Sequence, residues 1–230
     1  SQTLAGISTV EFGGGPMSLE QDGASERIHS TLVSASYFDV LGTRAALGRF
    51  FVPDDDAVPG ERAVVVLTHA FWMRRLGGDP AVLDKPLRLN NRDFTVVGVA
   101  EPGFEGLTFV GTDVWVPVSM VAAARGRSNA DILDNAGGSW IMAVGRLKPE
   151  VSAEQAQAEL NTLIDAFKAV ASQLIVFPHS AAYGPLSVAA RQLAPPTVDW
   201  LYDYARMAVQ VFLVIAGFLA VRGLSASGQA

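Results

Sequence analysis

The chain contains no cysteine, which removes disulfide staples, thiolate metal sites and cysteine nucleophiles from consideration. The absence fits oxidising and reducing compartments equally and so places the protein in neither. Charge is sparse at 17% of residues, and 17 basic side chains face 23 acidic ones for a net −6. A phosphate backbone would meet net repulsion unless the basic residues clustered, and the sequence holds no such cluster, which argues against a nucleic-acid partner. Histidine occurs three times, at His29, His69 and His179, in no HExxH or HxH spacing, so neither zinc nor a catalytic pair is signalled. Glycine (22) and proline (12) stay well below the share expected of low-complexity chains in 230 residues. What is plentiful is apolar surface: half of the residues are hydrophobic, enough for a real core in one large domain or two modest ones.

The familiar motifs of enzyme sites fail one by one. Gly6-Ile7-Ser8 and Gly138-Ser139-Trp140 lack the second glycine of a nucleophile elbow. Gly13, Gly14 and Gly15 are followed by no Gly-Lys-Ser/Thr and open no helix, so they read as a tight turn between strands. Gly103, Gly106 and Gly111 miss the dinucleotide spacing. Asp54, Asp55 and Asp56 lack the alternation of a calcium loop and read as a solvated loop. Phe71, Trp72 and Leu76 fall on one side of a short helix and read as core, with Arg74 and Arg75 on its solvated face. No catalytic, cofactor-binding or metal-ligating residue is nominated, and no cofactor is expected.

Periodicity predicts an α+β fold in which strands outnumber helices. Strands are expected around residues 9–12, 17–20 and 27–33, then a short helix over 37–41 capped by Ser36 and ended by Gly42. A loop follows to Pro59. The β-branched run 63–68 predicts a buried strand, with Thr68 capping a helix over 70–76 that Gly77 and Gly78 stop. Residues 86–99 predict a hairpin turning at Asn90-Asn91, a pair that tolerates positive φ. Residues 113–118 and 140–147 predict strands, and 122–138 an irregular stretch. Ser152 with Gln155 forms a capping box opening a helix whose Ala156, Leu160, Leu163, Ile164 and Phe167 share one face. A returning strand over 186–193 makes 140–193 a β-α-β unit. On this reading Leu163→Asp buries an unpaired charge and unfolds the unit.

The C-terminal thirty residues differ. Residues 207–221 carry no charge between Arg206 and Arg222; at ~1.5 Å per residue they span roughly 22 Å, less than a ~30 Å hydrocarbon core. Trp200, Tyr202 and Tyr204 lie just upstream, aromatics of the kind found at a headgroup boundary. The run reads either as the start of a spanning helix over 205–222 or as a buried core helix. Ser1 opens the chain without a signal peptide, so a longer protein is expected around it.

Four ordered blocks carry a resemblance: VSASYFDVLGTRAALGRFFVPDDD from Val33, VVVLTHAFWMRRLGGDPAVLDKPLRLNNRDFTVVGVAEPGFEGL from Val64, DVWVPVSM from Asp113, and MAVGRLKPEVSAEQAQAEL from Met142. They resemble the MacB-like periplasmic core domain of ABC transporter permeases, in the branch whose chains carry no ATPase of their own. The resemblance implies a porter subdomain of β-α-β units over 1–60 and 137–198, an inserted mainly-β sabre subdomain over 61–136, and a partial membrane helix over 205–222 with a first one before Ser1. It further implies a bacterial inner-membrane protein with most of this chain in the periplasm. Its partners would be a separate ATPase, with or without a periplasmic adaptor, and a second permease. Asn90-Asn91 stands where the family turn is commonly Asn-Gly, and SASGQA ends the chain where family members continue through the membrane, so an excised fragment or a truncated product is expected. The function implied is transmission of ATP-driven motion to export or lipoprotein release, without catalytic residues. Its mechanical residues would be Leu160, Leu163, Ile164 and Phe167 on the porter helix and Trp200, Tyr202 and Tyr204 at the membrane junction. The alternative is a soluble extracytoplasmic binding module for a peptide or lipid, with 207–221 as its core helix.

Overall fold

The computed structural model describes residues 1–21, 23–107, 111–126, 133 and 140–183, with side chains described up to 168 in the last helix. The chain divides into two compact units after Val151. The first contains β1 (Leu4–Glu11), β2 (Gly15–Gln21), β3 (Ala24–Val33), α1 (Tyr37–Leu41), β4 (Ala45–Gly48), β5 (Val64–Leu67), α2 (His69–Leu76), β6 (Pro86–Leu89), β7 (Arg92–Ala100), β8 (Val114–Pro117), α3 (Val121–Arg125) and β9 (Ile141–Leu147). The fold is α+β and sheet-dominated, as the periodicity predicts.

Local chemistry explains the boundaries. Asn90 and Asn91 take φ of 47° and 61°, the left-handed pair that a two-residue turn between β6 and β7 needs, and Leu87 faces Phe94 across the ladder. The Thr68 hydroxyl accepts from the Phe71 N–H at 3.1 Å, and Gly77 ends α2. Ser36 departs from expectation. Its hydroxyl caps nothing in α1 and donates to the Ile7 carbonyl at 2.9 Å, stitching the helix entry to β1. Two elements were not foreseen: β4 lies in a stretch read as loop, and α3 in one read as irregular.

The strand pairings close on themselves. From β2 they run to β6, β7, β5, β8 and β3, and β3 returns to β2. Its ten residues let β3 close the circuit: Ala24 to Ser30 pair antiparallel with β2, and Ser30 to Val33 pair in parallel with β8. Each strand of the circuit turns one set of alternate side chains into a single apolar cluster that includes Met17, Leu32, Leu67, Leu89, Phe94 and Val116. A circuit of this kind leaves its members no open edge within the ring. Outside it, β4 adds to β7, while β1 touches β3 near Val10 and Val33 and carries β9 on its other side.

The opposite face of the central strands is buried too. Val64, Val66, Val97, Ala100 and Trp115 pack with Val10, Val33, Tyr37, Phe38 and Phe51 in a second cluster. Phe38 stacks on Phe50 at 3.9 Å between ring centres and meets Trp115 edge-on at 5.3 Å, geometries that add to simple burial. Gly98 admits the backbone of Arg49 here: a Cβ at that position would stand 2.1 Å from the Arg49 carbonyl oxygen.

The second unit is described through α4 (Ala153–Tyr183). Its capping box forms as expected: the Ser152 N–H donates to Gln155 Oε1 at 2.8 Å, and the Gln155 N–H donates to Ser152 Oγ at 3.3 Å. The expected strand 186–193 and the run 205–222 lie outside the described residues. Among the described residues no helix is long and apolar enough to cross a membrane.

Candidate functional site

The described residues gather no group of three or more His, Asp or Glu able to hold a metal. His29 sits on β3 with Nδ1 buried and without a hydrogen-bond partner; His69, at the start of α2, meets Trp72 edge-on at 5.4 Å. His179 lies in α4 beyond the described side chains. Phe71 is fully buried, and Trp72 and Leu76 pack against the circuit's core, as the core reading expects.

Several polar residues do more than the sequence suggests. Arg74 and Arg75, read as a solvated face, are ion-paired: Arg74 to Asp113 at 2.8 Å, and Arg75 to Glu26. In the aspartate run Asp54 is exposed, as the solvated-loop reading expects, whereas Asp55 and Asp56 are drawn in. Asp55 is 1% exposed and accepts from Arg49 Nη1 at 2.5 Å and from the Val52 N–H at 3.0 Å, while Asp56 accepts from the Ser119 N–H at 2.8 Å.

What the structure concentrates is a set of ties between residues 1–60 and 61–136. Asp113 accepts from the His29 N–H at 2.9 Å, and Thr31 and Thr112 share a hydroxyl hydrogen bond at 2.8 Å. Glu101 accepts from the Thr43 hydroxyl at 2.6 Å and the Arg44 N–H at 3.1 Å; these bonds hold its carboxyl below the ordinary range, Thr43 contributing most. Arg92 donates to the Gly60 carbonyl at 2.6 Å. Tyr37 accepts from the Leu107 N–H at 3.0 Å, yet burial outweighs that bond and pushes its hydroxyl up.

A further tie, an ion pair with both side chains nearly buried, joins β1 to α3. Arg125 Nε donates to Glu11 Oε1 at 2.7 Å and Nη2 to Glu11 Oε2, the forked geometry that makes arginine–carboxylate pairs strong. Sequence reading missed both residues, as well as the role of Asn90 described below.

The expected mechanical residues fall on α4. Leu160, Leu163 and Phe167 are 42%, 56% and 46% exposed, Ile164 is half-buried and Ala156 buried. The helix and its apolar stripe are present, and the stripe is largely open. Trp200, Tyr202 and Tyr204 lie outside the described residues.

Against known proteins, the family model described as "MacB-like periplasmic core domain" matches residues 5–163. No curated protein matches the sequence. Among solved structures the chain is similar to the periplasmic region of MacB from Actinobacillus actinomycetemcomitans, at 19% identity and a TM-score of 0.52, covering 72% of this chain and 68% of that one. Weaker likenesses are to the extracellular domain of the noncanonic ABC-type transporter YknZ from Gram-positive bacteria (17%, TM-score 0.46, 67% and 70% covered) and to a domain of a putative permease protein from Porphyromonas gingivalis (23%, 0.48, 71% and 70%).

Proposed function

The chain belongs to the MacB-like periplasmic core domain family, extracytoplasmic domains of ABC transporter permeases, and from that premise we propose that it is a force-transmitting body. A separate ATPase drives the movement. A pair of permeases carries it through the membrane, and this domain delivers it as export or lipoprotein release, with a periplasmic adaptor as a further partner. The division into a porter (1–60 and 137–198) and a sabre (61–136) belongs to this reading. So do the bacterial inner-membrane setting, the membrane helix opening at 205–222, and the roles of Trp200, Tyr202 and Tyr204 at the membrane junction. Leu160, Leu163, Ile164 and Phe167 are the face through which α4 passes the movement on.

The observation that carries the proposal is the closed strand circuit. A transmitter must move as one piece, because packed elements with no slack convert a shift at one end into rotation at the other. The circuit supplies that stiffness by joining strands from both segments, β2 to β6 and β3 to β8, and β4 adds a further tie to β7 from outside it.

The cysteine-free sequence makes the test direct. A single Phe12→Cys, at a side chain 66% exposed, carries a spin label in the permease assembled with its ATPase in lipid vesicles. The label-to-label distance between the two permease copies changes when non-hydrolysable ATP is added. Identical distance distributions with and without nucleotide overturn the proposal.

A further inference from the structure

The short helix α3 is held at its C-terminal end by two clasps that lead in different directions. One is Arg125, all five of whose N–H groups are engaged. Nε and one Nη2 hydrogen go to the Glu11 carboxylate, the other Nη2 hydrogen to the Ser30 carbonyl at 3.1 Å, and the Nη1 pair to Ser30 Oγ at 2.9 Å and the Ala124 carbonyl at 3.2 Å. Glu11 Oε2 also accepts from the Leu32 N–H at 3.2 Å. The second clasp is Asn90 at the hairpin turn. Its side-chain amide donates to the Ala123 and Ala124 carbonyls at 3.1 and 3.0 Å, capping α3 from outside, and its Oδ1 accepts from the Ser18 N–H at 2.7 Å. Asn90 thus ties the hairpin turn to both α3 and β2 through one side chain.

Two features mark the arginine clasp as built. Its side chains are 13% and 10% exposed, so among the ion pairs of the described residues it alone has both partners nearly buried. Gly15 on β2 makes its seat: a Cβ there would stand 2.9 Å from both Cζ and Nε of Arg125. The last glycine of the Gly13–Gly15 run is therefore needed for more than a turn.

We infer that α3, gripped by Glu11–Arg125 on one side and Asn90 on the other, couples the β6–β7 hairpin to β1, a strand that lies outside the circuit and pairs with it only near Val10 and Val33. A buried pair with every donor satisfied holds rigidly, and removing one partner strands the other charge away from water. The grip stands on this geometry alone. Its role in motion rests on the function proposed above.

The test is hydrogen exchange on the 230-residue chain. Arg125→Met and Glu11→Gln each raise exchange at residues 86–100 and 121–125 at least tenfold over β9, lower the melting temperature by roughly 10 °C, and together do no more harm than either alone. Exchange that is unchanged, or raised evenly over the sheet, overturns the inference. Should either variant fail to fold, Arg125→Lys, which keeps charge but loses the fork, shows the same local pattern more weakly. A second spin label at Asp93 on the hairpin, 59% exposed, separates the two claims. In the assembled permease its nucleotide-dependent shift follows that of Phe12→Cys and is at least halved in Arg125→Met. An Asp93 shift that Arg125→Met leaves unchanged refutes the coupling role, whereas no shift at Phe12 in the otherwise unaltered chain refutes the force-transmission reading and leaves the exchange result standing.

Discussion

β5 and α4 are both rich in apolar side chains, and the structure treats them oppositely. All four residues of β5 are buried, alternate ones feeding the two clusters, so the strand has no face that meets water. On α4 the stripe Leu160, Leu163 and Phe167 stays 42–56% exposed. The same difference divides the sheet: Val114, Trp115 and Val116 on β8 are fully buried, whereas Ile7 and Ile141 on the β1–β9 pair are 57% and 39% exposed. Apolar composition alone therefore does not say where the stability lies. What matters is whether neighbours cover both sides. Apolar side chains kept in the open are a cost to solubility and, where they run together, mark surfaces used for contact.

One substitution made in both regions tests this most sharply. Leu67→Asp places a charge at a site with no exposure, where no partner can compensate it, and it abolishes folding as read by loss of the melting transition. Leu163→Asp meets solvent at a side chain 56% exposed, and its melting temperature stays within a few degrees of the unaltered chain. Unfolding at Leu163→Asp would show that the α4 stripe is covered core after all, as the helical periodicity alone suggests. A smaller effect comes from Gly98→Ala. The added methyl lands 2.1 Å from the Arg49 carbonyl oxygen, a backbone atom that cannot swing aside. β4 and β7 must part, at a cost of about 1–3 kcal/mol in denaturant unfolding, while Gly103→Ala, whose Cβ meets nothing within 4 Å, carries only the strain of its positive φ.

Much of the fold could be read from the chain because its signals are local. The Asn90-Asn91 turn, the Thr68 cap, the Gly42 and Gly77 stops and the Ser152–Gln155 box each depend on residues within a few positions, and each forms. β4 escaped because Ala45 to Gly48 contain no β-branched residue and owe their extension to pairing with β7. The coupling residues escaped for a different reason. Glu11 and Arg125 lie 114 positions apart, and nothing near either predicts the other. Asp55 looked like one of three equivalent acids because its burial arises only when Arg49 and the 3-10 turn Pro53–Asp55 fold around it. Gly15 showed as a turn glycine, and its seat for a guanidinium depends on an arginine from the far side of the sequence.

Asp55 also gives the most specific prediction, one that compares it with its exposed neighbour Asp54. Burial alone would raise its carboxyl, but the hydrogen bonds from Arg49 and the Val52 N–H, with the charges of Arg49 and Arg62, outweigh that and hold it below the ordinary range. The unfolded chain therefore takes up the proton first as pH falls. Stability from this group is complete above about pH 4, where an ordinary aspartate ionises, and drains away as pH drops through the lower folded value. Asp55→Asn loses about 1–3 kcal/mol at neutral pH, and the gap to the unaltered chain narrows as pH is taken below 4. Glu101 is held low in the same sense, so some acid sensitivity persists in Asp55→Asn. Asp54→Asn, at an exposed side chain, leaves the stability at neutral pH unchanged. If the gap at Asp55 instead widened on acidification, the carboxylate would be a liability tolerated by the loop, and the Arg49 pairing would not be what orders it.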